Sequence, residues 1–251
     1  MPSCGATQAR YIAYVDPART GGVGVAFTSR HGGVSAPPFD SFTLGQAGGA
    51  DPAQVRENLE LVQSDLGLRA LVGVHQVHGT KIVPVHTGIG VTPAYMEGDG
   101  LVTQAPGLGL LIKAADCVPV MLGDAAAGVV AAAHAGRVGL LAGVLPAAVA
   151  ALRQRGAQQI TAWIGPHVCG LCYEVPADMA EAAWRQLPAT QATSRRGTPA
   201  IDLGAGAAAQ LQDLGCHVVR LDPCTVESPD LFSYRRDAER SGRQGGIVWL
   251  A

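Results

Sequence analysis

No part of the sequence gathers basic residues into a block. Lys and Arg number 18 against 20 Asp and Glu, a formal charge of −2. That argues against a dedicated nucleic-acid surface, which needs grouped cations, but leaves room for a small anionic substrate held by one or two arginines. No uninterrupted apolar run reaches the roughly eighteen residues of a membrane span. The richest window, 128–152, is broken by His134, Arg137, Pro146 and glycines. The opening residues, MPSCGATQAR, lack the apolar centre of a signal peptide, so a cytoplasmic protein is expected. Its six cysteines are then expected to be mostly reduced, and any that cluster read as metal-binding or catalytic before disulfides. Aromatic residues are scarce, at 5%. Alanine is so abundant that its helix preference carries little information. There is no short internal repeat and no low-complexity linker.

What is present is enough apolar sequence, 48% of 251 residues, for a sizeable core. DPAQVRENLELVQSDLG predicts a helix, with Asp51 as N-cap, Pro52 in the first turn and Val55, Leu59 and Val62 at helical spacing. RVGLLAGVLPAAVAALRQRG predicts a helix kinked or restarted at Pro146. ADMAEAAWRQL and AGAAAQLQDLG predict two more. Strands are expected in GVGVAFT, LVGVHQVHG, KIVPVHTG, GDGLVT, GLGLLIKAADCVPVMLGD, GVVAAAHAG, ITAWIGP, CHVVRLD and GGIVWL. Strands outnumber helices without a regular βαβ alternation, so the expected fold is α+β, a mixed sandwich rather than a doubly wound sheet. The closing strand suggests that residues 1–251 form a single domain.

His78, Cys117 and His134 each end an apolar segment beside Gly or Asp. Two imidazoles and a thiolate make a three-ligand zinc site with an open position, or a Cys–His nucleophile pair. The plain alternative is one buried cysteine and two hydrogen-bonded histidines. His75 precedes His78 by an odd number of residues, so in a strand the two face opposite ways. His75 is then expected beside the site or on the surface. Asp116 is expected to point away from Cys117 and to serve as a structural hydrogen-bonding group. HVCGLC brings His167, Cys169 and Cys172, with Cys216, His217 and Cys224 later. CxxC suggests a zinc knuckle or a redox pair, but a knuckle needs a second close pair, which Cys216 and Cys224 are too far apart to form. Buried or pocket-lining thiols are expected instead. In FTSRHGGVS, Ser29, Arg30, Gly32 and Gly33 combine a guanidinium with a Gly-rich turn, a possible anion site. SYRRDAERSGR places Arg235, Arg236 and Arg243 around Tyr234 and Asp237, a surface loop salt-bridged by two of its three arginines. Tyr173 and Glu174 close a pocket wall or anchor the sheet.

FTSRHGGVS, VHQVHGT, GDGLVTQAPGLGLLIKAADCVPVML, AAAHAGRVGLLAGVL, IGPHVCGLCYEV and LFSYRRDAERSGRQGGIVWL follow one another in an order that resembles the YfiH/LACC1 family. That family is also known as laccase-like or polyphenol oxidase and as peptidoglycan editing factor. The resemblance runs from about residue 23 to the end, leaving 1–22 as an extension or first strand. It implies two mixed sheets flanked by helices and a zinc site of His78, Cys117 and His134, with copper ranked lower. The implied activity is purine nucleoside phosphorolysis: adenosine, inosine or methylthioadenosine plus phosphate give base and ribose 1-phosphate. Adenosine deamination is a second activity. Arg30, Arg137, Tyr173 and Arg235 are the implied substrate contacts, and the protein is expected to be a monomer or homodimer acting on purine nucleosides and phosphate, without nucleic acid or membrane. One departure stands out. The family's H-A-G-W-R-G is here H-A-G-R-V-G, so Arg137 must reach substrate from the position before the usual arginine, which Val138 replaces, or that contact is absent. The rivals are a metal-independent Cys–His hydrolase or amidase editing peptidoglycan precursors through Cys117, a copper phenol oxidase, and a non-catalytic partner of the envelope machinery. Seven histidines and no H-x-H pair speak against the copper oxidase.

Overall fold

The computed structural model describes residues 10–87, 90–92 and 96–251; the opening nine residues, Cys4 included, lie outside the described residues. Two six-stranded mixed sheets form the body. The first runs β1 (Tyr11–Val15), β2 (Val23–Thr28), β14 (Gln244–Leu250), β7 (Leu108–Ala114), β3 (Ala70–Gly73) and β5 (Gly90–Thr92). The second runs β13 (His217–Arg220), β10 (Thr161–Ile164), β8 (Val118–Asp124), β9 (Val129–Ala135), β6 (Gly100–Thr103) and β4 (Ile82–Pro84). A two-stranded ribbon, β11 (Gln191–Thr193) and β12 (Pro199–Ile201), stands apart. The closing strand lies inside the first sheet, antiparallel to both β2 and β7.

The period-2 alternation of strands sorts side chains between layers. From β2, Val23, Val25 and Phe27 meet Met121, Val130, Ala132 and Trp163 of the second sheet. Ala26 turns the other way, into a layer with Leu71, Ile247 and Val62. Val62 belongs to α1 (Pro52–Asp65), whose N-cap Asp51 accepts from Ala53 N as its sequence leads one to expect. On the far side, Val129, Ala131, Ala133 and Ala135 of β9 pack under α2 (Arg137–Ala142), α3 (Val144–Arg153) and α5 (Leu203–Asp213). A fourth longer helix, α4 (Ala177–Gln186), adds Ala180 and Ala183 to the same layer. The order is helix, sheet, sheet, helices. β9 is covered on both faces, which is why it reads as an unbroken apolar run.

Two expectations change in detail. The break between α2 and α3 falls at Gly143, whose φ of 97° is left-handed, and not at Pro146. Pro146 sits in the first turn of α3, where a missing N–H costs nothing. GLGLLIKAADCVPVMLGD is two strands in different sheets. The chain leaves β7, turns at Asp116 with φ 90°, and enters β8. Cys117 therefore stands where the chain crosses between the sheets. No helix among the described residues is long and apolar enough to cross a membrane.

Candidate metal centre and its cavity

β8 and β9 pair antiparallel with Val118 opposite Ala135 and Pro119 opposite His134, so Cys117 and His134 reach the same end of the sandwich. By alternation His134 shares the side of Val130 and Ala132, between the sheets. His78 comes from the turn after β3, where its φ of 61° is uncommon for a residue with a side chain. Asp99 stabilises that turn. Its buried carboxylate accepts from Val77 N at 3.2 Å, His78 N at 2.9 Å and Gly79 N at 2.6 Å. The same carboxylate accepts from His134 Nδ1 at 2.9 Å. Binding Nδ1 in this way leaves Nε2 as the imidazole's free donor atom and sets its direction.

Cys117 Sγ lies 3.8 Å from His78 Nε2, and the His78 and His134 rings meet edge-on at 4.8 Å between centroids. One donor atom from each of the three residues falls within 4.8 Å of the others. Burial alone would raise the Cys117 thiol. Its hydrogen bonds to His134 and His78, with their charge, outweigh this and bring it down to about 6. Burial likewise opposes charge on His134, yet hydrogen bonds to Asp99 and Cys117 lift it to about 9. Asp99 is lowered against its own burial by His134 and by the N–H groups of Gly79 and Val77. The carboxylate, imidazole and thiol are thus linked in series, each favouring the charged form of the next. The donors of the site, one sulfur and two nitrogens, match the set that zinc takes in catalytic sites. Gly136 completes the fit. A Cβ there would come within 2.6 Å of His78 Cδ2 and 3.1 Å of Cys117 Sγ, so the glycine of H-A-G keeps clear the space where two donors converge.

All three donors line a cavity of about 1430 Å³, together with His75, Lys113, Tyr173, Tyr234, Arg235 and Arg243. Its cations are held by the fold. Lys113 is lowered by burial and by Arg243. Arg243 donates to Ser241 O and Gly242 O, each at 2.8 Å. The Arg235 guanidinium carbon lies 5.2 Å over the Tyr173 ring, and the Arg235 N–H donates to Asp116 at 2.5 Å. Asp116 also accepts from Thr225 Oγ1 and Ser233 Oγ, at 2.6 and 2.7 Å. It thus ties the crossover turn to the C-terminal segment, and it lines the same cavity as Cys117 instead of facing away from it.

Other expected residues fall elsewhere. Arg30 does not line this cavity. It donates to Asp40 O at 3.1 Å, lies 4.7 Å over the Phe232 ring, and borders a smaller pocket with Arg236, Asp237 and Arg240. The Gly-rich turn beside it spends N–H groups inside the protein, Gly33 N on Ser41 Oγ and Val34 N on Asn58 Oδ1. Arg137 opens α2 and acts on Tyr173, whose hydroxyl is raised chiefly by burial while Arg137 pulls it back. Val138 is half exposed. Arg236 caps the carbonyls of Thr225, Ser228 and Leu231 and pairs with Asp237. His75 lines the cavity outside the three-donor cluster. Because β3 ends at Gly73, a turn and not alternation separates it from His78. His167 is buried and donates to Gly165 O at 2.9 Å; Cys216 is buried in the helix-side core and His217 is exposed. Asp99 and Lys113 belong to the site without any mark in the sequence that singles them out. The G-D-G around Asp99 carries no signal of a histidine partner so far along the chain.

The family model for multi-copper polyphenol oxidoreductase laccases matches residues 24–251, and the chain belongs to that family, the one that includes the YfiH proteins. It is 48% identical over 234 residues to a protein of Streptomyces coelicolor named purine nucleoside phosphorylase, covering 91% of this chain and 96% of the relative. It is 34% identical over 234 residues to YfiH of Shigella flexneri, also named purine nucleoside phosphorylase, covering 91% and 94%. The solved structure of the hypothetical protein YfiH from Bacillus licheniformis superposes with a TM-score of 0.81 at 28% identity, covering 91% of this chain and 93% of that one.

Proposed function

We propose that this protein is a zinc-dependent purine nucleoside phosphorylase that also deaminates adenosine. The observation that carries the reading is one cavity with the His78–Cys117–His134 cluster and the cations Lys113, Arg235 and Arg243 on its wall. The naming of the relatives supports it. Residues 1–251 act as one unit in this reading, because the closing strand β14 lies within the first sheet. His78, Cys117 and His134 hold the metal. Zinc is preferred to the copper of the family's description, because a multicopper centre draws on many imidazoles and histidine enters one such cluster among the described residues. When bound, the metal supplies Lewis-acid charge beside the substrate.

In phosphorolysis, a phosphate oxygen bonds to the ribose C1′ as the C1′–N bond to the purine breaks, and the purine leaves with the electron pair. Lys113 and Arg235 hold and orient the phosphate, and their charge offsets repulsion as it closes on the sugar. Tyr173 and Tyr234 offer aromatic surface for the purine. Arg137 hydrogen-bonds Tyr173 and so helps to position it. Deamination is a separate reaction at the base, in which water adds to C6 of the adenine and ammonia leaves; no phosphate takes part, so it needs these cations less.

Lys113→Ala and Arg235→Ala are each expected to raise the KM for phosphate about ten- to a hundredfold, the loss of one charge-assisted contact, and to spare deamination. Arg30→Ala is expected to leave both activities unchanged. An unaltered phosphate KM in both cavity variants contradicts the assignment. The thiolate character of Cys117 favours one other reading, a metal-independent hydrolase acting on peptidoglycan precursors in which Cys117 attacks substrate. The two differ in whether a covalent adduct forms and whether metal is required.

A further inference from the structure

Away from the cavity cluster, a second group of donors converges. Cys169, Cys172, Cys224 and Glu227 each bring one ligand atom within 4.8 Å of the others. The topology makes this meeting specific. β10 and β13 run parallel, Thr161 opposite His217 through Ile164 opposite Arg220. Beyond both strand ends the pairing resumes as a bridge between His167 and Cys224, with Thr225 N donating to His167 O at 3.0 Å. Cys169 and Cys172 follow in a tight turn in which Cys172 N and Tyr173 N both donate to Cys169 O at 3.0 Å. Gly170 lets that turn close, since a Cβ there would lie 2.8 Å from Asp202 Cβ. Two pairs with the same spacing therefore face each other, Cys169-x-x-Cys172 and Cys224-x-x-Glu227. The second close pair that a knuckle requires is present, but its second member is a carboxylate, and a search for cysteines passes it by.

Hydrogen bonds hold the group together: Cys169 N donates to Cys224 Sγ at 3.4 Å, and the Cys172 thiol donates to Glu227 Oε1 at 3.4 Å. Arg195 pairs with Glu227 and donates its own N–H to Leu171 O at 3.1 Å, which orients the carboxylate toward the turn. The four ligand atoms lie close enough together for one cation to sit among them, and Arg195 contacts Glu227 and Cys172 from the outer side.

We infer that Cys169, Cys172, Cys224 and Glu227 form a second, structural metal site for a single tetrahedral zinc ion, separate from the cavity cluster. Three thiolates and a carboxylate fill four positions and leave none open, which is the mark of a structural site. Binding releases the thiol protons to solvent. The ion joins the segment that continues into Tyr173 to the segment that leads, through Thr225 and Ser233, to Arg235. It thereby fixes two residues of the cavity wall without touching substrate. A redox-active Cys169–Cys172 pair is the competing outcome.

The test is metal content of the full-length protein, purified anaerobically with zinc present and washed through a chelating resin. Wild type is expected to retain two zinc ions per chain, His78→Ala/His134→Ala one, and Cys169→Ser or Cys224→Ser one. With cobalt in place of zinc, the His78→Ala/His134→Ala protein is expected to show the intense sulfur-to-cobalt absorption of several thiolates, and Glu227→Ala to exchange its ion faster. If a variant fails to fold, alkylation mapped by mass spectrometry answers on the wild type: zinc is expected to protect Cys169, Cys172 and Cys224 together. Overturning results are one zinc in wild type that Cys169→Ser does not alter, free alkylation of the three thiols in zinc-loaded protein, or a Cys169–Cys172 disulfide in the anaerobic preparation. None of these bears on the cavity cluster, which the His78→Ala/His134→Ala arm reads separately.

Discussion

At the scale of single residues, the site depends as much on a missing side chain as on its donors. Gly136 lies against His78 and Cys117, and a methyl group there would meet the imidazole at 2.6 Å, a separation that forces a donor to move. Gly136→Ala is therefore expected to fold with a near-normal melting temperature and yet lose at least tenfold in affinity for the cavity metal, by analogy with changes to groups that orient ligands. Metal titration beside thermal unfolding checks this; unchanged affinity would show that the donors do not converge at that space. The donors themselves were legible, because each closes an apolar run beside Gly or Asp and the ordered motifs fit a known pattern. Asp99 was not. It serves His78 through backbone N–H groups and His134 through a ring nitrogen, and neither link leaves a mark in spacing. The surroundings of Arg30 were not legible for a related reason. A Gly-rich turn with an arginine looks the same in sequence whether its N–H groups face a ligand or, as here, Ser41 and Asn58.

At the scale of elements, strand ends do the positioning and buried carboxylates hold the strand ends. Asp124 closes β8 and accepts from Gln158 N, Gln159 N and Ala127 N at 2.7, 2.8 and 3.2 Å. Burial would raise its carboxyl, but these N–H groups outweigh it and hold it below the usual range. A depressed folded-state value means that the stabilisation is complete above the unfolded value, about pH 4, and is lost as pH falls through the folded one. Asp124→Asn is expected to cost about 1–3 kcal/mol at pH 7, with the difference from wild type shrinking below pH 4. Urea unfolding at the two pH values measures it, and a pH-independent difference would contradict the account. Most elements were legible from apolar periodicity, including α1 with its Asp51 cap. Two features were not: the left-handed break at Gly143, hidden among equally permissive glycines, and the division of the run through Asp116 into strands of different sheets. The latter rests on a positive φ at a non-glycine residue, which contacts with Thr225, Ser233 and Arg235, far along the chain, enforce.

At the scale of the whole molecule, the crossover between sheets brings Cys117 to the mouth of the inter-sheet layer, where the turn after β3 and the end of β9 bring His78 and His134. The α+β sandwich could be read from the excess of strands over helices. Which strands share a sheet could not, since the orders β1-β2-β14-β7-β3-β5 and β13-β10-β8-β9-β6-β4 join residues remote in sequence. The central claim is that this arrangement performs metal-dependent phosphorolysis. Its most direct measurement is product analysis with adenosine, with and without phosphate, on zinc-loaded protein, on chelator-stripped protein and on His134→Ala, with intact-mass spectrometry during turnover. With metal and phosphate both present, ribose 1-phosphate is expected to equal adenine plus hypoxanthine; without phosphate only inosine is expected, His134→Ala is expected to form none of these, and Cys117 is expected to stay unmodified. Full turnover by metal-free protein, with a substrate adduct on Cys117, would contradict it.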